Sequence, residues 1–228
     1  MDRKKYLIVT AGGSGSRMGA SVPKQFLEID GKPILRCTLE KFAKALPDLH
    51  IITVLPQANL EFWRNYCLKE NFNCPQRLVV GGFTRFHSVQ NALQHIPDGA
   101  LVAVHDAVRP LISADKIREL FTAAASVPAL IPIVPLTDTL IGLERLEDGS
   151  FRPTGEMPDR GRIFGAQTPQ IFFSEVLKEA YKQGFDTAFT DDASVVRKFG
   201  VPLSYAQGER YNIKITTPED LEVARSLF

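Results

Sequence analysis

The sequence predicts an α/β protein of three layers, a largely parallel sheet covered by helices on both faces, with one β-hairpin arm projecting from it. Three observations carry this expectation. Short apolar runs bounded by turn residues recur along the chain. Segments with apolar residues at three- and four-residue steps lie between them, and strand-helix-strand repetition means parallel pairing. One polar stretch, residues 138–164, breaks the rhythm.

The first run, "YLIVTA" (residues 6–11), is apolar without alternation, as expected of a strand buried on both faces. "HIITVLP" (50–56) and "RLVVGG" (77–82) read the same way. In "RFHSVQNALQHI" (85–96), Phe86, Val89, Ala92, Leu93 and Ile96 fall on one helical face. "LVAVHDA" (101–107), "ALIPIVP" (129–135) and "PLSYA" (202–206) supply further strands. Within 138–164, short alternating runs flank "EDGS", and Asp-Gly favours a tight turn between antiparallel strands. A two-stranded arm is marginal by itself, so it is expected to pack on a second subunit.

Bulk properties narrow the function. At 228 residues the chain reads as one domain, residues 1–228, with the arm as its appendage. The 27 Lys+Arg nearly cancel the 26 Asp+Glu, so no global field points to nucleic acid or a membrane surface, and any bound anion needs a local cluster. Cys37, Cys67 and Cys74 show no C-x-x-C spacing and fit neither a disulfide framework nor a zinc site. The apolar part of the N-terminal segment is too short for a signal region, and no segment is long enough to span a bilayer, so a cytoplasmic location is expected.

In parallel sheets ligands bind beyond the carboxyl ends of the strands. The loop after the first run, "AGGSGSRMGASVPKQF" (11–26), combines glycines with cations. A dinucleotide fingerprint would need a third glycine where Met18 stands, and a P-loop would need its own lysine and hydroxyl, so both readings fail on spacing. Flexible or left-handed backbone at Gly12, Gly13 and Gly15 would turn N–H groups toward an anion, and Arg17 and Lys24 would add full charges: a triphosphate cradle. An ordinary strand-to-loop connection with solvated cations is the alternative.

"AGGSGSRMG…PKQF", "HDAVRP", "TPQ", "TDDAS" and "NIKITTPEDL", taken in order, closely resemble the 2-C-methyl-D-erythritol 4-phosphate cytidylyltransferases of isoprenoid precursor biosynthesis. The resemblance runs from Leu7 to the last helix. It implies a Rossmann-like, mixed, mostly parallel sheet of the nucleotide-diphospho-sugar transferase type, and a homodimer whose arm completes the neighbour's site. It implies transfer of CMP from CTP to the polyol phosphate with release of pyrophosphate. The ribitol 5-phosphate cytidylyltransferases carry similar motifs. "TDDAS" and "NIKITTPEDL" lie closer to the erythritol group, whereas Val108, where "HDAARP" is commoner, leans the other way.

The resemblance also implies roles. Arg17, Lys24 and Lys214 are expected to be catalytic cations on the phosphates, with Ala11, Gly12, Gly13, Gly15, Gly82, Ser88, Asp106 and Ala107 around the nucleotide. Asp106 is the candidate to organise Mg²⁺, which would be held mainly by CTP itself, because a hard cation prefers carboxylate and phosphate oxygens. Arg109, Thr139, Arg160, Thr168 and Thr190 are nominated for the second substrate, guanidinium forks for phosphate and hydroxyls for a polyol. Thr190 by itself reads as an N-cap, with Asp191 and Asp192 in the first helical turn. Base choice is assigned to Gly82 and Ser88; Phe83 stands where family members carry an acidic residue. A phosphate nucleophile is already ionised near neutral pH, so the chemistry needs positioning and charge neutralisation rather than a general base. A nicotinamide-dependent oxidoreductase and a catalytically silent nucleotide sensor are the rivals from other classes.

Overall fold

The structure, a computed structural model, describes residues 3–13, 22–155 and 157–228. β1 (Lys5–Thr10) leads through a small hairpin, β2 (Glu28–Ile29) and β3 (Lys32–Pro33), into α1 (Ile34–Ala45). Then come β4 (His50–Leu55), α2 (Gln57–Lys69), β5 (Gln76–Val80), α3 (Arg85–Leu93), β6 (Leu101–Asp106), α4 (Ala114–Ala124) and β7 (Ala129–Pro135). The arm holds β8 (Leu143–Arg145) and β9 (Phe151–Pro153). The chain returns through β10 (Phe164–Ala166), β11 (Gln170–Phe173), α5 (Ser174–Ala180), α6 (Asp192–Lys198), β12 (Ser204–Gln207) and α7 (Pro218–Leu227).

All six apolar runs form strands of one sheet. β1 lies between β4 and β6, parallel to both, and β5 extends the parallel half beyond β4. On the other side β11 enters antiparallel between β6 and β7, β10 pairs antiparallel with the far end of β7, and β12 runs parallel to β7. "QIFF" of β11 was not among the expected strands. Its four residues carry no period of their own; its direction follows from the chain doubling back through the arm after β7.

Consecutive side chains of β1 point to opposite faces and seed two cores. Leu7 and Val9 pack with Leu35, Phe42, Trp63 and Phe121 of α1, α2 and α4; Ile8 packs with Phe86, Val89, Leu177 and Val196 of α3, α5 and α6. Four apolar residues of the α3 stripe, together with Ile96 just past the helix, are buried in that second core. A third cluster, Ile29, Ile34, Val108, Ile215 and Leu221, fastens α7 beside the start of α1.

The arm forms as a separate two-stranded sheet, turning at Gly149 with a φ of 85°, where Asp148 Oδ1 accepts from the Ser150 backbone N–H at 2.9 Å. Both strands are exposed along their whole length. No helix among the described residues is long and apolar enough to cross a membrane, and the three cysteines are free thiols.

Candidate active site

Register brings the loops after β1, β5 and β6 to one edge. Thr10 pairs with both Val54 and Asp106, the Ala11 N–H donates to Val54 O at 2.9 Å, the Ala107 N–H donates to Thr10 O at 3.1 Å, and the Gly81 N–H donates to Leu55 O at 2.8 Å. These loops surround a cavity of about 230 Å³, walled by Ala11, Gly12, Gly13, Lys24, Gly82, Ser88, Asp106, Ala107 and Lys214. Every described residue of the expected nucleotide set therefore borders one space. Gly15 and Arg17 lie outside the described residues.

The expected reason for the first glycines needs correction. Neither Gly12 nor Gly13 adopts a positive φ; a Cβ would instead reach 3.9 Å from Ser88 Oγ at Gly12 and 3.4 Å from Lys24 Cε at Gly13. They leave room rather than reverse the chain. Gly82 is different, because a Cβ there would stand 2.4 Å from His87 Cβ. The turn into α3 admits no side chain at that position. Ser88 braces it: its hydroxyl donates to Thr84 O at 2.9 Å and accepts the Gly82 N–H at 3.1 Å, while Thr84 caps α3 by accepting from the His87 N–H.

Cations meet at Asp106. Lys214 Nζ lies 2.9 Å from Oδ2, Arg109 Nε 3.6 Å from Oδ2 and Arg85 Nε 3.6 Å from Oδ1. Burial by itself would raise the Asp106 pKa, but the charges of Arg85, Lys214 and Arg109 outweigh it and hold the carboxyl well below the usual range. Lys24, close to two hundred residues earlier in the chain, reaches the same spot, its Nζ 3.5 Å from Ile215 O. Gln25 anchors that segment by donating to Ala11 O at 2.8 Å. The N-terminus of α3, whose cap Thr84 and first residue Arg85 also line the cavity, adds its partial positive charge.

Arg85 also reaches behind the site. Its Nη2 donates to Asp192 Oδ2 at 2.6 Å, and the Tyr181 hydroxyl donates to Asp192 Oδ1 at 2.6 Å, so a fully buried carboxylate joins α3, α5 and α6 behind the site. Asp191, not Thr190, caps α6: it accepts from the Ser194 N–H at 2.8 Å, and Ser194 Oγ accepts the Asp191 N–H at 3.2 Å. The reciprocal pair satisfies two backbone donors at once and moves the cap one residue on from Thr190. Gln170 of "TPQ" steadies this corner, donating to Asp191 Oδ2 at 2.7 Å and accepting the Ala193 N–H at 2.9 Å.

A family model for 2-C-methyl-D-erythritol 4-phosphate cytidylyltransferase matches residues 6–228. The chain belongs to that family. Among cytidylyltransferases of this name, it is 45% identical to that of Bacteroides thetaiotaomicron over 224 residues, covering 98% of this chain and 99% of the relative, and 45% identical to that of Porphyromonas gingivalis over 228 residues, covering 100% and 99%. The crystal structure of the Francisella tularensis cytidylyltransferase superposes with a TM-score of 0.80 at 31% identity, covering 99% of this chain and 100% of that one. The Thermus thermophilus structure gives 0.77 at 30% identity, covering 99% and 98%.

Of the residues nominated for the second substrate, Arg109 and Thr168 both sit against Asp106, and none of the five lines the cavity. Arg109 sits behind Asp106, its Nη1 donating to Asn212 O at 2.6 Å. Thr168 is buried; its hydroxyl accepts the Asp106 N–H at 3.2 Å and bonds His105 Nδ1 at 3.0 Å. His105 Nε2 faces Arg109 O at 3.1 Å, and a carbonyl only accepts, so Nε2 carries the proton and Nδ1 accepts from Thr168. Burial lowers the His105 pKa to about 4, in keeping with a neutral packing residue. Thr190 borders a second cavity of about 550 Å³ with Arg162 and Phe164. Thr139 is exposed after β7, and Arg160, exposed at the base of the arm, donates to Thr137 O at 2.7 Å.

For a metal the donor set is lean. No group of three His, Cys, Asp or Glu residues among the described ones is placed to hold an ion, and both oxygens of Asp106 already face cations. One carboxylate suits a hard cation whose other ligands are phosphate oxygens and water, and does not suit a protein-built metal cage. Sequence reasoning gave no part to Gln25 or Gln170. "PKQF" and "TPQ" contained them, but a lone amide has no pattern that announces its partners.

Proposed function

We propose that this chain is a cytidylyltransferase that transfers CMP from CTP to 2-C-methyl-D-erythritol 4-phosphate, in line with the family to which it belongs. A phosphate oxygen of the polyol phosphate attacks the α-phosphorus, the bond from that phosphorus to the bridging oxygen breaks, and pyrophosphate leaves with the electron pair. The observation that carries this reading is the convergence of Lys24 and Lys214 beside Asp106 above a floor of glycines.

Within this reading Lys24 and Lys214 bind the phosphates and neutralise the charge that develops at phosphorus, an effect worth about 3 kcal/mol for one well-aimed donor. Arg17 joins them. Lys214 exchanges its Asp106 partner for phosphate when the nucleotide enters. Asp106 is the one carboxylate that would hold a Mg²⁺ brought in with the triphosphate, and such an ion would supply charge screening for the departing pyrophosphate. At the base pocket the remaining valences are acceptors: the second lone pair of Ser88 Oγ, whose first holds the Gly82 N–H, and the Gly82 carbonyl. Two acceptors suit the exocyclic amine of cytosine and not the carbonyl of uracil. Arg109, Thr139, Arg160, Thr168 and Thr190 serve the polyol phosphate, some from a second copy of the chain. The whole chain acts as one nucleotidyltransferase domain, with residues 138–164 as a dimerisation arm.

Pyrophosphate release tests this, measured with CTP, UTP, ATP and GTP against methylerythritol phosphate and ribitol 5-phosphate. Turnover is expected with CTP and methylerythritol phosphate above every other pair. Preference for ribitol phosphate would overturn the polyol assignment, and CTP binding without pyrophosphate release would overturn catalysis.

A further inference from the structure

Phe83 is fully solvent-exposed, at 102% of its reference surface, yet it lines the same cavity as Gly82, Ser88 and Lys24. Its backbone is not loose. Gly82 before it is tied to Ser88 Oγ at 3.1 Å, and Thr84 after it caps α3 and bonds His87 Nδ1 at 2.8 Å. Among the described residues its ring meets one aromatic side chain, His87, edge-on at 6.4 Å and 88°. A held backbone thus presents an exposed aromatic face at the mouth of a cationic site.

We propose that Phe83 is the stacking surface for the nucleobase; this rests on the cytidylyl-transfer reading. A phenyl ring has no hydrogen-bonding group, so it stacks on any base and distinguishes none of them. Phe83 itself offers the cytosine amine no acceptor. Affinity for the base therefore comes from Phe83, and its identity from the Gly82 carbonyl and Ser88 alone. The ring closes over the base as the nucleotide binds, which also takes an exposed apolar surface out of water.

The test compares wild type with Phe83→Ala, Phe83→Leu and Phe83→Tyr by steady-state kinetics and by equilibrium titration with CTP and UTP. Phe83 has no packing role in the folded chain, so the variants fold, as thermal melting checks. Phe83→Ala is expected to raise both KM and Kd for CTP about tenfold to a hundredfold, with kcat changing far less, and to weaken UTP by the same factor, leaving the CTP-to-UTP ratio unaltered. Phe83→Tyr is expected to bind as wild type does, with Phe83→Leu between. Unchanged CTP affinity in Phe83→Ala, or a loss confined to kcat, would overturn the proposal, as would a shifted CTP-to-UTP ratio. Wild type that binds CTP but releases no pyrophosphate would overturn cytidylyl transfer while the Kd series still decides the stacking role.

Discussion

Lys24 and His105 carry sharply different jobs although each is a basic side chain near the ends of the central strands. Lys24 borders the cavity and has no part in a core, so Lys24→Ala is expected to lower kcat at least a hundredfold while circular dichroism and melting stay near wild type. Near-normal turnover would remove it from the phosphates. His105 is fully buried and neutral, with a folded pKa of about 4 against an ordinary 6.5. Between those values the unfolded chain binds a proton that the folded chain does not, so stability falls as pH drops through this window, by up to roughly 3 kcal/mol. Denaturant titrations from pH 7 to 4 are expected to show a shallower acid loss in His105→Gln than in wild type. An identical slope would mean that His105 is not held neutral. Residue types near the strand ends were legible in the sequence as candidates; which of them face a cavity was not, because burial depends on helices packed from distant parts of the chain.

Helix α6 shows how a short element depends on its first residue. Its seven residues are too few to be stable alone, and Asp191 both caps it and receives Gln170. Asp191→Ala is expected to cost about 1–2 kcal/mol in urea unfolding, with Asp191→Asn falling between the two, since its amide oxygen still accepts the Ser194 N–H while its NH2 loses the bond from Gln170. Equal stability of all three would show that the cap contributes nothing. "TDDAS" signalled a helix start, but three successive cap-competent residues leave the start ambiguous to within one position. The reciprocal bond from Ser194 resolves it. The hairpin was plainer: Asp148-Gly149 between alternating runs allows few other conformations, and the strands formed about it. By contrast β11 had no legible period, and its place between β6 and β7 follows from where the arm returns the chain.

For the whole molecule, the arm raises the question of what covers it. Ile141, Phe151 and Met157 are 63%, 62% and 77% exposed, and Thr139, Arg160 and Thr190 of the residues nominated for the polyol phosphate lie outside the cavity at Asp106. Both facts fit a homodimer in which the arm of one copy, with Arg160, completes the site of the other. Mixing Arg160→Ala chains with Lys214→Ala chains then leaves one intact site in each heterodimer, so purified heterodimers are expected to recover about half of wild-type activity while both parent homodimers are nearly inactive. Verified heterodimers without activity would place the arm in its own site.

By itself the sequence determined the architecture and the family. Apolar runs without alternation, bounded by turn residues, read as strands covered on both faces, and five motifs in order resemble the cytidylyltransferases along nearly the whole chain. Tertiary structure decided what the motifs do to each other. Asp106 became the meeting point of Arg85, Arg109 and Lys214, Thr168 and His105 turned inward to hold it, and Phe83 was left facing solvent at the mouth of the cavity. Arg109 and His105 are neighbours of Asp106 in the chain, but Arg85, Thr168 and Lys214 come from segments tens to more than a hundred residues away, brought there by strand register and helix packing that the local composition of a loop does not encode.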